Sequence, residues 1–371
     1  MSILRQNTTY FSKRKEIAMT RPLKRRDFLK GLGLGVGAFA LGGPQWVFAQ
    51  KRKLFVAAPS PARSIFNLPQ YYAAEKILPE MGINLQVKTF RGFVPSFAGL
   101  MKGEVQYAYQ TLPSLTRAIK AKFAVKGFLG YAQQFVFYMV APPEIKTLDA
   151  LISRIKEKAM SGNKMKIASH SPASLTQITI EMILNKNGID PKKDVEIIFL
   201  AGTPKRVAAL KAKSVDATVI FVSRAIEGQM RGDLNILARM ADFAPQQSGT
   251  VWVATEETLQ KRPEEVQAFA TAMLRGYRDM YKLDLNELAE FAQTQKPWSK
   301  FNPARAVRET IKVARELKLW PVDGGITEKN ITAAQKFLVE VKFMKPENVL
   351  PIGQLVTTKF RDQALKKLGP A

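Results

Sequence analysis

The chain has no cysteine and a single histidine, His170, among its 371 residues. The missing cysteine excludes disulfides, thiolate nucleophiles, Cys-ligated zinc and Cys-bound iron–sulfur clusters. It also excludes a lipid-anchored exported protein, which needs a cysteine at its processed N-terminus. One histidine cannot build a His-based metal cluster, and a histidine general base could only be His170. No phosphate-binding glycine fingerprint opens a strand–turn–helix unit, so neither a metal nor a cofactor is expected. Acidic residues are few: 31 stand against 57 basic ones, a formal net charge of +26. The basic residues are scattered rather than clustered among stacking aromatics, which argues against nucleic acid as a partner. Two readings of the charge remain, a solvated cationic surface or a field that favours an anionic solute.

The N-terminal part has its own composition. Lys24-Arg25-Arg26-Asp27-Phe28-Leu29-Lys30 precedes an uncharged run from Gly31 to Phe48, in which glycines alternate with Leu32, Leu34 and Val36 before Pro44. That mixture suits a threaded and removed segment better than a membrane span. It closes on Val47-Phe48-Ala49, a small-x-small cleavage site. The basic stretch resembles the twin-arginine export signal of bacteria, with Lys24 where that pattern has Ser or Thr. A signal peptide over residues 1–49 is expected, cleaved near Ala49/Gln50, with the mature protein in the periplasm. The twin-arginine and the general export routes both stay open, as do Met1 and Met19 as the start. Removing this segment lowers the formal charge to +19.

Beyond it, strands and helices alternate. Lys53 to Ala58 reads as a buried strand broken at Pro59-Ser60-Pro61, followed by a helix from Leu68 to Met81 that Gly82 stops. Ile83 to Val87 alternates as a strand, Pro95 to Lys102 is a short helix, and Val105 to Tyr109 is a third strand. Phe135 to Ala141 is an apolar strand halted by Pro142-Pro143. The cycle then restarts: strand Met165–Ala168, helix Leu175–Asn187, strand Val195–Leu200, helix Lys205–Lys211, strand Val215–Val222. Thr250 to Ala254 reads as a strand returning to the first half, and from Pro263 the chain is mostly helical. The expected fold is α/β with two lobes: residues 50–142 and 249–371 form the first, 143–248 the second. Each lobe is a doubly wound, mostly parallel sheet, and the crossings fall near Ala141–Glu144 and Gly249–Val251.

Several phrases in this order resemble the substrate-binding proteins of ABC importers, in the group of nitrate, sulfonate and taurine receptors and thiamine-pyrimidine-synthase-like proteins. They are Tyr71-Tyr72-Ala73-Ala74-Glu75-Lys76, Met101-Lys102-Gly103-Glu104-Val105-Gln106-Tyr107-Ala108, Ile145-Lys146-Thr147-Leu148-Asp149-Ala150-Leu151, Asn187-Gly188-Ile189-Asp190, Ala208 to Ala217, and Arg262 to Phe269. Lys213-Ser214 stands where the family usually has Gly. The resemblance implies the type II periplasmic binding protein fold, a small-molecule solute held between two lobes, and a membrane permease as partner. A monomer is expected, and no bond is made or broken.

In a doubly wound sheet ligands sit beyond the carboxyl ends of the strands, where helix N-termini offer unpaired N–H groups to anions. Ser171 reads as an N-cap with Pro172 at the first helical position and Ser174 one turn in. The other turns supply Ser60 and Arg63, Phe93, Thr111, Thr203, and Ser223 with Arg224. The two arginines are candidate clamps for an acidic head group, and Phe93, Phe135 and Phe221 candidate walls for an apolar body. The solute is expected to be a small organic molecule, anionic, with an aromatic body among the options. The alternatives are a receptor for an ion-driven (TRAP-type) transporter, a sensor, and a pyrimidine synthase; the last needs a cysteine-rich iron motif that this chain lacks.

Overall fold

Two five-stranded mixed sheets organise the chain, each with the strand order that puts its first strand second from one edge. In this computed structural model the described residues are 52–58, 64–90, 92–172, 174–244, 249–295 and 304–370. The expected signal peptide, Ser60, Arg63 and Arg91 lie outside them. The first sheet contains β1 (Arg52–Ala58), β2 (Ile83–Thr89), β3 (Tyr107–Thr111), β4 (Val125–Ala132) and β10 (Thr250–Thr255), in the order β2-β1-β3-β10-β4. The second contains β5 (Phe137–Ala141), β6 (Met165–Ser169), β7 (Val195–Phe199), β8 (Ala217–Phe221) and β9 (Asn235–Arg239), in the order β7-β6-β8-β5-β9. In each sheet the fourth strand alone runs antiparallel to its neighbours. That strand is the first one after a crossing: β10 arrives from the second lobe, and β5 opens it.

β5 corrects one expectation. The sequence places Phe137–Ala141 at the end of the first lobe and the crossing at Ala141–Glu144. The strand instead pairs with β8 and β9 in the second sheet, so the chain crosses over Gln133–Val136, ahead of it. The proline pair ends a strand without ending a lobe. β4 and β9 are two further strands beyond those the sequence pattern marks.

The helices follow the strands. α1 (Leu68–Tyr72), α2 (Phe93–Met101) and α3 (Leu112–Lys120) belong to the first lobe; α4 (Leu148–Met160), α5 (Leu175–Lys186), α6 (Thr203–Lys211) and α7 (Val222–Met230) to the second. The expected single helix Leu68–Met81 is one run of changing pitch: α1 continues into a π-turn, Ala73–Ile77, and a 3₁₀ turn, Leu78–Met81. Pro79 explains the change, because it cannot donate the hydrogen bond that a regular helix needs there. The C-terminal part is α8 (Glu256–Lys261), α9 (Pro263–Lys282), α10 (Leu285–Thr294), α11 (Ala304–Glu316), α12 (Glu328–Glu340), α13 (Ile352–Leu355) and α14 (Lys359–Leu368). None of the described helices is long and apolar enough to cross a membrane.

β3 and β5 are buried at every position; β5 accordingly reads as a continuous apolar run rather than an alternating one, while β3 buries the polar pair Gln110 and Thr111 at its end. The first lobe's core is aromatic: the Tyr107 ring stacks on Phe269 of α9 with centroids 4.5 Å apart, and Tyr109 stacks on Tyr131 at 3.7 Å. α11 packs on α7 and on the turn before α1, so a C-terminal helix touches both lobes. Its end is tied to the crossing, where the Gln133 backbone N–H donates to Leu319 O at 3.0 Å. Four described non-glycine residues have positive φ, and all are lysines: Lys122, Lys213, Lys318 and Lys342. Lys213, which replaces the family's usual Gly, therefore takes the left-handed conformation (φ 54°) that Gly would adopt without strain.

Candidate functional site

Both sheets end in turns that open helices, and those turns carry the candidate residues. In the second lobe β6 leads into α5 through Ser169-His170-Ser171-Pro172. The cap is Ser174, whose Oγ accepts from the Gln177 N–H at 3.4 Å. This overturns the expectation that Ser171 caps with Pro172 at the first position: Ser171 lies before the helix, and its carbonyl accepts from the Ser174 hydroxyl at 2.7 Å. Three hydroxyls gather here. Thr176 Oγ1 lies 3.0 Å from Ser169 Oγ and 2.9 Å from Ser174 Oγ, and it accepts from the His170 backbone N–H at 3.0 Å.

The neighbouring turn, from β7 to α6, is fixed from two sides. His170 Nδ1 accepts from the Gly202 N–H at 3.1 Å, and the Arg206 guanidinium donates to Leu200 O at 3.0 Å and to Thr203 Oγ1 at 3.4 Å. Gly202 holds φ 88°, which admits glycine readily. Thr203 is the first residue of α6. Burial lowers the Arg206 pKa to about 10. His170 sits below its ordinary value of 6.5 through burial and then through the nearby Arg206 charge.

Neutral His170 has a consequence for stability. A base with a depressed folded pKa takes up its proton more readily when unfolded, so its contribution is complete above 6.5 and is lost as pH falls through the lower folded value. Protonating Nδ1 would also remove the acceptor for Gly202. The melting temperature is expected to fall between pH 7 and pH 5 more steeply in the parent than in His170→Gln; parallel curves would refute this.

Ser223 is buried at the second position of α7. Arg224 does not stand open as a clamp: its Nη1 lies 2.5 Å from Glu227 Oε2, a carboxylate that also receives Arg231 at 2.7 Å. A cavity of about 290 Å³ includes Thr203 and Arg224, but it follows α6 and α7 down to Lys211 and Arg231 and belongs to the second lobe alone.

In the first lobe Thr111 caps α3, accepting from the Ser114 N–H at 3.3 Å. Its neighbour Gln110 is fully buried, donating to Ser96 Oγ at 3.0 Å and accepting from Ser114 Oγ at 2.9 Å. Phe93 is half-buried at the start of α2, edge-on to Tyr109 at 5.8 Å. Phe135, expected as a wall, is buried instead: it lies against Phe337, and a Cβ on Gly249 would come within 2.8 Å of its ring. The two crossings are thus packed against each other.

Sequence reasoning missed Phe66. It contacts Tyr131 at 6.0 Å on its own lobe and Phe221 at 6.4 Å, edge to face, on the other. Phe221 in turn lies 4.6 Å from Phe137. An aromatic row therefore crosses from the first lobe to the second at the ends of β4 and β8. It rests on polar support, since the buried Tyr131 hydroxyl donates to Asn67 Oδ1 at 2.7 Å and accepts from Gln70 Nε2 at 3.1 Å. Among the described residues no group of three or more His, Cys, Asp or Glu side chains could hold a metal.

The sequence matches the model of the NMT1-like family over residues 74–294, more than half the chain. The chain belongs to the NMT1-like family. Its matched region runs from the π-turn of the first helical run to the end of α10 and so includes the whole second lobe. YtlA of Bacillus subtilis (strain 168) is 22% identical over 216 residues, 57% of this chain and 62% of that protein, so the match spans less than two thirds of the relative. Among solved structures, the periplasmic nitrate-binding protein NrtA from Synechocystis PCC 6803 covers 86% of this chain and 89% of its own, at 14% identity and a TM-score of 0.68. The ligand-binding component of an ABC-type import system from Staphylococcus aureus covers 84% and 99%, at 12% identity and a TM-score of 0.65. The alkanesulfonate-binding protein SsuA from Xanthomonas axonopodis pv. citri, bound to MOPS, covers 83% and 99%, at 15% identity and a TM-score of 0.58. At such identities the likeness is one of fold: the two-lobed periplasmic binding protein fold of this NMT1-like chain.

Proposed function

We propose that this NMT1-like protein is an exported, periplasmic solute receptor that captures a small organic anion between its lobes and presents it to the permease of an ABC importer. The reading is carried by the Phe66–Phe221 ring contact, which joins opposed lobe edges where strand ends and helix N-termini meet. Half-buried rings at that place suit an apolar or aromatic body, as solute pockets are mostly apolar with a few placed polar groups. Phe93, Thr111, Ser171, Ser174, Thr203, Ser223 and Arg224 are the proposed surroundings within the described residues, and Ser60 and Arg63 would join them from the β1 turn. A solute touching both lobes favours the closed form, which is the form a permease would distinguish. Family membership and the solved receptors of nitrate and alkanesulfonate support this reading. Acting as a receptor, the protein needs no catalytic residue, and one copy suffices.

The test is solution scattering and calorimetry with a panel of carboxylates, sulfonates and neutral analogues. An anion that binds should also reduce the radius of gyration. Phe221→Ala should weaken that binding by about tenfold, since an aromatic contact of this kind contributes about 0.5–1.5 kcal/mol beyond its buried area. Binding without closure, or unchanged affinity in the variant, would sink the reading.

A further inference from the structure

Two arginines are deeply buried among the described residues, and they are not used alike. Arg278, 8% exposed, spends all three nitrogens on carbonyls: Nε on Val322 O, Nη1 on Leu368 O and Nη2 on Gly369 O. That is a clamp for the C-terminus, complete in itself. Arg206, 2% exposed, gives one nitrogen to Leu200 O and another, at 3.4 Å, to Thr203 Oγ1, while its buried Nε has no partner. No carboxylate pairs with it among the described residues. A buried cation without a counter-charge is costly unless something else compensates it. Its direction matters too. Both bonds run to the turn that opens α6, a nine-residue helix in whose first turn the Thr203 and Lys205 N–H groups have no helical acceptor and Pro204 has no N–H to offer. The charge and the helix terminus therefore add up at one place, on the face of the second lobe where β7 ends. His170 Nδ1, accepting from Gly202, holds the same turn in position.

We propose that Arg206 is the counter-charge for a singly charged head group of the carboxylate or sulfonate class, seated at the N-terminus of α6. This rests on the receptor reading above and gives it a chemical class. Arg206 acts from beneath the turn as a positioning residue: the anion meets the Thr203 and Lys205 N–H groups, and the guanidinium makes that place positive. A neutral head group gains nothing from it, so Arg206 sets selectivity by charge rather than overall affinity.

The test is calorimetry with benzoate, benzenesulfonate and benzamide, which share one ring and differ in head group. It compares the parent, Arg206→Gln and Arg206→Lys at constant ionic strength, with inorganic sulfate as a probe that lacks an organic body. The parent should prefer the acid it fits over benzamide by about tenfold or more. Arg206→Gln should lose that preference, its affinity for the acid falling about tenfold or more further than its affinity for benzamide, whereas a merely structural role would lower both equally. Benzoate and benzenesulfonate separate the two head-group classes. A preference retained in Arg206→Gln overturns the proposal, and so does a parent that takes benzamide as well as the acids. Should Arg206→Gln fail to fold, Arg206→Lys decides: a surviving preference for the anion supports the proposal and its loss overturns it. If the parent binds sulfate through Arg206 but no organic probe, the charge site stands and the receptor reading falls; a parent that binds no anion overturns the proposal.

Discussion

Trp252→Ala is expected to cost about 3–5 kcal/mol of folding stability, the largest loss foreseen for any single aromatic residue here. Trp252 is fully buried on β10 between β3 and β4, opposite Tyr109 and Leu129. Its ring meets Tyr109, Tyr131 and Phe269 edge to face at 5.9, 5.2 and 5.1 Å. The indole N–H donates to the Tyr277 hydroxyl at 2.9 Å, and that hydroxyl donates to Gly130 O at 3.0 Å. Truncation therefore opens a large cavity and breaks the first link of a buried chain. Trp252→Phe keeps most of the volume and loses the hydrogen bond, so it should cost less, about 1–3 kcal/mol. Urea unfolding of the three proteins at one pH measures both differences. A loss under about 1 kcal/mol for the alanine variant would mean that the site collapses around the missing ring. The effect should reach the cleft as well, because Tyr131 stands between Trp252 and Phe66.

Much of this arrangement is legible in the sequence, and the parts that are not share a cause. β1, β2, β6, β7 and β10 announce themselves by local pattern, because an apolar or alternating run between turn residues is a local property. β4 does not. Its sequence, Val125 to Ala132, carries Gly127 and Gly130, which read as loop residues. Their reason is distant: a Cβ on Gly127 would meet Val356, and one on Gly130 would meet the backbone of Gly324. β5 shows the same limit in another form. Its existence is local, but its membership in the second sheet depends on partners about 80 and 100 residues later.

The candidate site divides along the same line. Thr111 and Ser174 are visible because caps are short-range chemistry, although Ser171 and Ser174 are similar enough that local pattern alone points to a cap one turn early. Phe66 has no local mark, since its meaning comes from Phe221 on the other lobe. Arg206 is harder still. On a helix of mixed polarity an arginine reads as surface, and only the fold shows that it is buried with a nitrogen to spare. The sequence drew attention to Arg224 instead, whose charge Glu227 already answers.

Gly130→Ala should be as damaging as losing the tryptophan ring, although it adds one methyl group. The added carbon would lie 2.7 Å from Gly324 O and 3.0 Å from Gly325 Cα, and both neighbours are backbone. Neither can swing away like the end of a side chain. The Gly130 N–H donates to Gly324 O at 2.7 Å, and the turn opposite is held by Gly324 N–H to Pro321 O, Gly325 N–H to Asp323 Oδ1 and Arg361 Nε–H to Asp323 O, all at 2.9 Å. Gly324 itself needs φ 80°. Relief must come from parting β4 and this turn, which breaks the short hydrogen bond and disturbs the Gly130 carbonyl that Tyr277 uses. A cost of about 3 kcal/mol or more follows, at the upper end for overpacking. The double variant Gly130→Ala/Trp252→Ala should be less damaging than the sum of the two, because both act on the Trp252–Tyr277–Gly130 chain. Strict additivity in urea unfolding would mean that the two sites are independent and that this chain does not couple β10 to β4. Coupling between these strands bears on the proposed receptor function, because β4 ends at the crossing over Gln133–Val136 and β10 begins at the other, so both run straight into the hinge.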